Sequence, residues 1–269
     1  MSIGVGIVGA AGRMGQELVR EVYGHEALRL AAACESPGSP AVGRDAHAVA
    51  GIGEPAGVII GDDLEAMVRA CDVVIDFTAP AVSVKVAALC AEHGKALVVG
   101  TTGLDAAQGE KLAAAAERVP VVWAPNMSVG VNVLIGLVEQ AARTLGASYD
   151  IELVETHHRH KKDAPSGTAL RLARAAAEGT RELGTFEERA NYGREGLDPR
   201  RPHQIGIHAV RGGDVVGDHT ISFCTDGERV ELSHRASSRR TFTQGAVRAA
   251  SWVHGRDAGL YDMRDVLGL

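Results

Sequence analysis

Between residues 3 and 124 the apolar residues fall into short unbroken runs separated by stretches of helical period. This alternation predicts strands over 3–8, 28–34, 58–60, 73–76, 96–100 and 121–124. Helices are predicted from Met14, whose stripe continues through Leu18, Val19 and Val22, and over 64–70, 81–93 and 106–118. Strands that are apolar on both sides and alternate with helices form a parallel sheet covered on both faces. Residues 36–57 are rich in Gly, Pro, Ala and Asp without a period, which predicts a loop. After Asn126 the rhythm changes. A long helix is predicted over 129–145, and 149–154 alternates polar and apolar as a half-buried strand does. Another helix runs to about 183, a polar stretch fills 184–201, and strands follow over 204–210, 215–224 and 229–236. Turns at Arg211-Gly212-Gly213-Asp214 and Asp226-Gly227 separate these strands, and 243–254 is helical again.

The expected fold is therefore α/β, with an N-terminal Rossmann-type parallel sheet and a C-terminal α+β domain with a mixed sheet. Residues 1–127, completed by a C-terminal helix at 241–269, form the first domain, and residues 128–240 the second. In 204–236 the apolar residues Ile205, Ile207, Val210, Ile221 and Phe223 build a sheet that one helix layer covers on one face, which leaves the other for partners.

The first strand is followed at once by Gly9-Ala10-Ala11-Gly12-Arg13-Met14-Gly15 and then by a helix. Glycines in that setting permit a tight turn, backbone approach to a pyrophosphate and close packing of helix on strand. The second strand ends at Glu35, twenty residues after Gly15, where an acid binds the adenosine ribose hydroxyls. Dinucleotide binding is expected, with a phosphate-free structural turn and a surface glutamate as the plain alternative. At the carboxyl ends of later strands lie Asp76-Phe77-Thr78, Gly100-Thr101-Thr102-Gly103 and Ala124-Pro125-Asn126-Met127, which are either cofactor loops or ordinary turns.

A formal net charge of −6 argues against nucleic-acid binding, so the basic stretch at 157–162 stands out and suits a small anionic ligand. Cys34, Cys71, Cys90 and Cys224 are scattered, as expected of reduced thiols in a cytoplasmic protein. No apolar run approaches membrane-spanning length, and no targeting segment is expected before the first strand. The basic stretch, Glu155-Thr156-His157-His158-Arg159-His160-Lys161-Lys162-Asp163-Ala164-Pro165-Ser166-Gly167-Thr168, reads as a strand-to-helix loop. Free N–H groups at the helix start seat a carboxylate or phosphate, and histidines exchange protons near neutrality. A solvated basic loop with a structural cap is the plain alternative. Metal binding is not expected, because His157 and His158 are adjacent and no carboxylate–histidine pair sits at helical spacing.

Along its whole length the chain resembles the 4-hydroxy-tetrahydrodipicolinate (dihydrodipicolinate) reductase family of lysine and diaminopimelate synthesis. The carriers are Val8 to Gly15, Gly100 to Gly103, Asn126-Met127-Ser128-Val129-Gly130-Val131-Asn132, Glu155 to Thr168, and Arg211 to Asp214. The resemblance implies an NADH- or NADPH-dependent reductase that converts 4-hydroxy-tetrahydrodipicolinate to tetrahydrodipicolinate with loss of water. It implies His157 and Lys161 as the catalytic acid/base pair, and His158, Ser166, Gly167 and Thr168 as contacts to a dicarboxylate substrate. Implied cofactor contacts are Gly9, Ala10, Ala11, Gly12, Arg13, Met14, Glu35, Gly100, Thr101, Thr102, Ala124, Pro125, Asn126 and Met127. A homotetramer joined through the second domain's sheet is implied as well. In members that use NADPH well an Arg often follows the ribose-binding acid, whereas Ser36 stands here, so NADH use is expected to be at least as good.

Overall fold

A computed structural model describes residues 2–269. In chain order the elements are β1 (Ile3–Val8), α1 (Arg13–Tyr23), β2 (Leu28–Cys34), α2 (Ala46–Ala50), α3 (Leu64–Arg69), β3 (Val73–Asp76), α4 (Pro80–His93), β4 (Ala96–Val99), α5 (Ala106–Ala116) and β5 (Pro120–Trp123). Then come α6 (Val129–Leu145), β6 (Asp150–His157), α7 (Gly167–Gly179), α8 (Phe186–Arg189), β7 (Ala190–Asn191), β8 (Ile205–Arg211), β9 (Gly217–Thr225) and β10 (Glu228–Ala236). The chain ends with α9 (Arg240–Val253), β11 (Gly259–Tyr261) and α10 (Met263–Leu267). The described residues divide into two compact units, 2–129 with 240–268, and 130–239.

The first unit is built on a six-stranded sheet in the order β11-β5-β4-β3-β1-β2, with every pair parallel. β3 and β4 are buried at every position, as strands covered on both faces must be. One face packs Ile7, Ile75 and Val98 against Leu18 and Val22 of α1 and Ala246 and Ala250 of α9. The other packs Val74, Leu97 and Val121 against Val86 and Cys90 of α4 and Leu112 of α5. The chain order of the strands reverses between β1 and β3, which opens the ligand crevice at their carboxyl ends.

The structure departs from three local expectations. Residues 58–60 form no strand, because Gly43 N–H donates to Ile60 O, Ile60 N–H to Arg44 O and Ala46 N–H to Val58 O, so their backbone pairs with a loop. Within 36–57 lies a short helix, α2, started by the Asp45 carboxylate, which accepts from the N–H groups of His47 and Ala48. The C-terminal segment is not one helix, since β11 joins the sheet beside β5 before α10 begins.

The second unit carries a five-stranded mixed sheet, β10-β9-β6-β8-β7. β6 runs antiparallel to β9 and parallel to β8. The helix-covered face holds Ile151, Leu153, Ile205, Ile207, Ile221 and Phe223, packed with Leu134 and Val138 of α6 and Leu172 and Ala176 of α7. Val210, expected among these, faces the open side at 46% exposure, as does Val154 at 43%. The polar stretch 184–201 is partly regular, because Thr185 and Glu188 form a reciprocal capping box that starts α8.

Candidate functional site

In the first unit the glycine turn joins β1 to α1. Gly9 has φ +70°, and a Cβ on it would press on Thr78 Cγ2 at 2.7 Å. A Cβ on Gly15 would collide with the Gly9 carbonyl, so only glycine lets α1 pack this close to β1. Gly12 is the N-cap of α1 and gives it no side-chain cap, and no acid lies in the first turn, so the start of this helix is suited to an anion. Glu35 follows β2. Its Oε2 accepts the Ala11 N–H at 3.1 Å, and its Oε1 accepts the N–H and hydroxyl of Ser36 at 2.9 and 3.2 Å. Beside the turn opens a cleft of about 880 Å³, lined by Gly9, Glu35, Ser36, Asp62, Asp63 and Lys85 among others. These features fit a dinucleotide, its pyrophosphate on the turn and its ribose at Glu35.

The remaining predicted cofactor residues follow β4 and β5. Gly100 passes so close to the Phe77 ring that a Cβ has no room, and Thr101 is buried. Ala124 and Met127 are buried, and the Met127 carbonyl lies against Gly245 of α9, where again only glycine fits. Asn126 Oδ1 accepts the Ser128 N–H at 2.9 Å, which fixes the loop leading into α6.

In the second unit the basic stretch does not begin as a loop. β6 continues through Glu155, Thr156 and His157 because these residues still pair with Ala209, Val210 and Arg211 of β8. The strand period then places Glu155 and His157 on the buried face behind Ile151 and Leu153. The connecting loop is residues 158–166, with a cis bond at Ala164–Pro165. Ser166 caps α7, its Oγ accepting the Ala169 N–H at 3.1 Å. Gly167 and Thr168 are the first two residues of that helix.

At the centre stands Glu155, with no exposed surface. Its Oε2 accepts from His157 Nδ1 at 2.6 Å, its Oε1 accepts the Ser166 N–H at 3.0 Å, and Arg211 donates to both oxygens at 2.8 Å. Burial pushes the Glu155 carboxyl up, but Arg211, His157 and the Ser166 N–H outweigh it and hold the group below its ordinary value. Burial lowers His157, and the charges of Lys161 and Arg211 add to this against the pull of Glu155. His219 stands edge-on to His157, ring centres 5.1 Å apart, and bonds Ser166 Oγ through Nε2 at 3.0 Å. Burial, then the neighbouring His157, pushes His219 down to about 4, so it is a neutral ring.

Lys161 Nζ pairs with Asp163 at 2.9 Å, and His158 Nδ1 is buried without a partner among the described residues. Arg211 also donates to the Asp163 carbonyl at 2.7 Å, which ties the loop back to β8. Residues 157–168 are thus brought together, and all lie in the second unit, while the predicted cofactor residues all lie in the first. Nothing in the sequence pattern gives Glu155, Arg211 or His219 a role. Glu155 and His157 share a strand face, which alternation through residue 157 would have shown; the other two are joined to them only by sheet register. Elsewhere, ligand atoms of Glu65, Glu92 and His93 lie within 4.8 Å of one another, but Arg69 already bonds Glu65 there.

Two family models match the chain. The N-terminal model of dihydrodipicolinate reductase covers residues 3–127, and the C-terminal model covers 130–267. A 4-hydroxy-tetrahydrodipicolinate reductase from Anaeromyxobacter dehalogenans is 55% identical over 98% of this chain and 97% of its own. One from Halorhodospira halophila is 54% identical over 100% of both chains. Among solved structures, a dipicolinate-bound dihydrodipicolinate reductase from Paenisporosarcina sp. TG-14 superposes with a TM-score of 0.77 at 26% identity, over 97% of this chain and 98% of that one. Among the described residues no helix is long and apolar enough to cross a membrane.

Proposed function

The chain belongs to the dihydrodipicolinate reductase family, and from that premise we propose how its residues divide the work of the reaction. It is an NAD(P)H-dependent oxidoreductase that reduces 4-hydroxy-tetrahydrodipicolinate to tetrahydrodipicolinate with loss of water, in lysine and diaminopimelate biosynthesis. NADH or NADPH, when bound, supplies the hydride. Gly9, Ala10, Ala11, Gly12, Arg13 and Met14 hold the pyrophosphate, Glu35 the adenosine ribose, and the segments 100–102 and 124–127 the nicotinamide end. The first unit is the dinucleotide domain, and the second is the substrate and oligomerisation domain.

In the second unit the α7 start at Gly167 and Thr168 seats one substrate carboxylate, and Lys161 and His158 face the anionic substrate. Ser166 supports this seat rather than lining it, since its N–H is committed to Glu155 and its Oγ to Ala169 and His219. His157 is the acid/base group. An ionised Glu155 only accepts hydrogen bonds, so His157 Nδ1 carries a proton and Nε2 is the atom that gains or gives one. A bound dicarboxylate adds negative charge near the ring and raises its proton affinity, which charges His157 when the substrate is in place. The single observation that carries this reading is the buried Glu155–His157 pair set beside the start of α7.

The test is NADH oxidation with and without freshly supplied product of dihydrodipicolinate synthase. Turnover only with that product supports the reading, and turnover without it, or none with it, overturns it. We further place the enzyme in the cytoplasm, in keeping with its four free cysteines, and propose a homotetramer joined through the open sheet face bearing Val154 and Val210. Light scattering that gives a monomer at micromolar concentration would contradict that assembly.

A further inference from the structure

A buried carboxylate whose acceptor positions are all taken by named donors is doing more than neutralising an arginine. Glu155 is fully buried, and its two oxygens look in different directions. Oε2 meets His157 Nδ1 at 2.6 Å, and Oε1 meets the N–H of Ser166, the residue that caps α7. Arg211 spans both at 2.8 Å and supplies the positive charge that keeps the group ionised out of water. On the other side of the imidazole, a Cβ on Gly217 would come within 3.0 Å of His157 Nε2, so a glycine there keeps that atom clear.

We propose that Glu155 is a positioning residue for both halves of the site at once. Through Oε2 it fixes the His157 tautomer with Nε2 as the proton-exchanging atom, and through Oε1 it holds the start of α7 in the place where a substrate carboxylate binds. The inference rests on the roles given above to His157 and to the helix start. Arg211 serves as the counterion of Glu155 and acts through it.

Glu155→Gln separates this from a merely structural ion pair, because an amide has one oxygen and one nitrogen and can keep only one of the two links. If its nitrogen faces His157, Nδ1 must become the acceptor and the proton moves to Nε2. If its nitrogen faces Ser166, the helix start loses its anchor. The experiment combines steady-state kinetics, titration with dipicolinate as the dicarboxylate probe, and ¹⁵N spectra of labelled histidine, in wild type, Glu155→Gln, His157→Gln and the double variant. Losing the group that fixes a catalytic imidazole's tautomer costs up to about ten-thousand-fold. The expected result is a fall in kcat of about a hundred-fold or more with His157 protonated at Nε2, or else a rise of about tenfold or more in the dipicolinate Kd. In the His157→Gln background Glu155→Gln should cost no further kcat.

A Glu155→Gln enzyme that binds NADH normally, keeps kcat and dipicolinate Kd within about threefold, and shows an unchanged His157 tautomer overturns the proposal. So does an equal kcat loss with and without His157. Near-normal kcat in His157→Gln alone would instead condemn the acid assignment, while the tautomer and dipicolinate readings still decide the part played by Glu155. Should Arg211 left unpaired prevent folding, Glu155→Gln/Arg211→Met removes both charges together and is read in the same way.

Discussion

The two units build their sites from different materials. In the first, the contacts expected of a dinucleotide come mostly from backbone: a turn with Gly9 at positive φ, an uncapped helix start after Gly12, and a helix held close to its strand by Gly15. Glu35 is the main polar side chain there. In the second, the side chains of Glu155, His157 and Arg211 interlock on β6 and β8, those of Ser166 and His219 pair between the start of α7 and β9, and the Ser166 N–H joins the two groups by donating to Glu155. A backbone site tolerates changes of side chain and fails when a glycine gains a Cβ. A side-chain network is the reverse, and it is also the part whose protonation can respond to pH and to substrate.

The largest effect should fall on the network. His157→Gln is expected to lower kcat by about a hundred- to ten-thousand-fold while NADH binding stays normal, and Thr168→Ala should act mainly on KM. If His157→Gln kept near-normal kcat while Lys161→Ala and Thr168→Ala abolished turnover, Lys161 or a substrate-bound water would be the donor.

Next comes the pH dependence of stability. The unfolded chain binds a proton at His219 near 6.5, and the folded chain refuses it until about 4, so the unfolded state holds more protons in that window and stability rises with pH through it. The contribution from His219 alone is up to about 3 kcal/mol, and the lowered His157 and His234 act in the same direction. Urea midpoints at pH 5 and pH 7 should differ less in His219→Phe than in wild type; an unchanged difference would mean that the ring is not held neutral.

A smaller loss, about 1–3 kcal/mol of stability, is expected from Gly15→Ala, where the new methyl meets the Gly9 carbonyl. NADH affinity should fall with it, and dipicolinate affinity should not. Equal loss of both ligands would break the contrast between the units.

The same contrast explains what could be read from sequence. Glycine spacing and the acid at Glu35 are local signals, as are the unbroken apolar runs of β1, β3 and β4; the runs form strands, α1 starts after the glycines, and Glu35 stands at the end of β2 beside the turn. The helix start at Pro165 to Thr168 was legible from its capping residues. The partners of His157 were not, because Arg211 and His219 come to it through the register of β6 with β8 and β9, which no spacing encodes. β11 is not legible because three residues, Gly259–Tyr261, carry too little pattern to separate a strand from a loop. The sequence pattern stops short of the end of β6 because Glu155 and His157, polar residues on a buried face, interrupt the apolar alternation where the chemistry sits.

The smallest effect sharpens the comparison at the one point where the first unit relies on side-chain charge. The cleft beside the glycine turn is bordered by Glu35, Asp62, Asp63 and Glu65, with Lys85 as its basic lining residue. A 2′-phosphate placed at Glu35 meets this acidic border, and Ser36 already gives its N–H and hydroxyl to Glu35 Oε1. NADH should therefore be used at least as well as NADPH. Ser36→Arg puts a guanidinium beside the ribose acid, where it can pair either with Glu35 or with a phosphate, so the gain is modest: an improvement of about three- to tenfold in the ratio of kcat/KM for NADPH over NADH, corresponding to about 1 kcal/mol of added pairing. Because the contact is exposed, the gain should shrink as salt rises. The Michaelis constant for the dicarboxylate should not move. A wild-type enzyme strongly selective for NADPH would show that Arg13 or Lys85 already supplies the phosphate contact and that the acidic border does not set the preference.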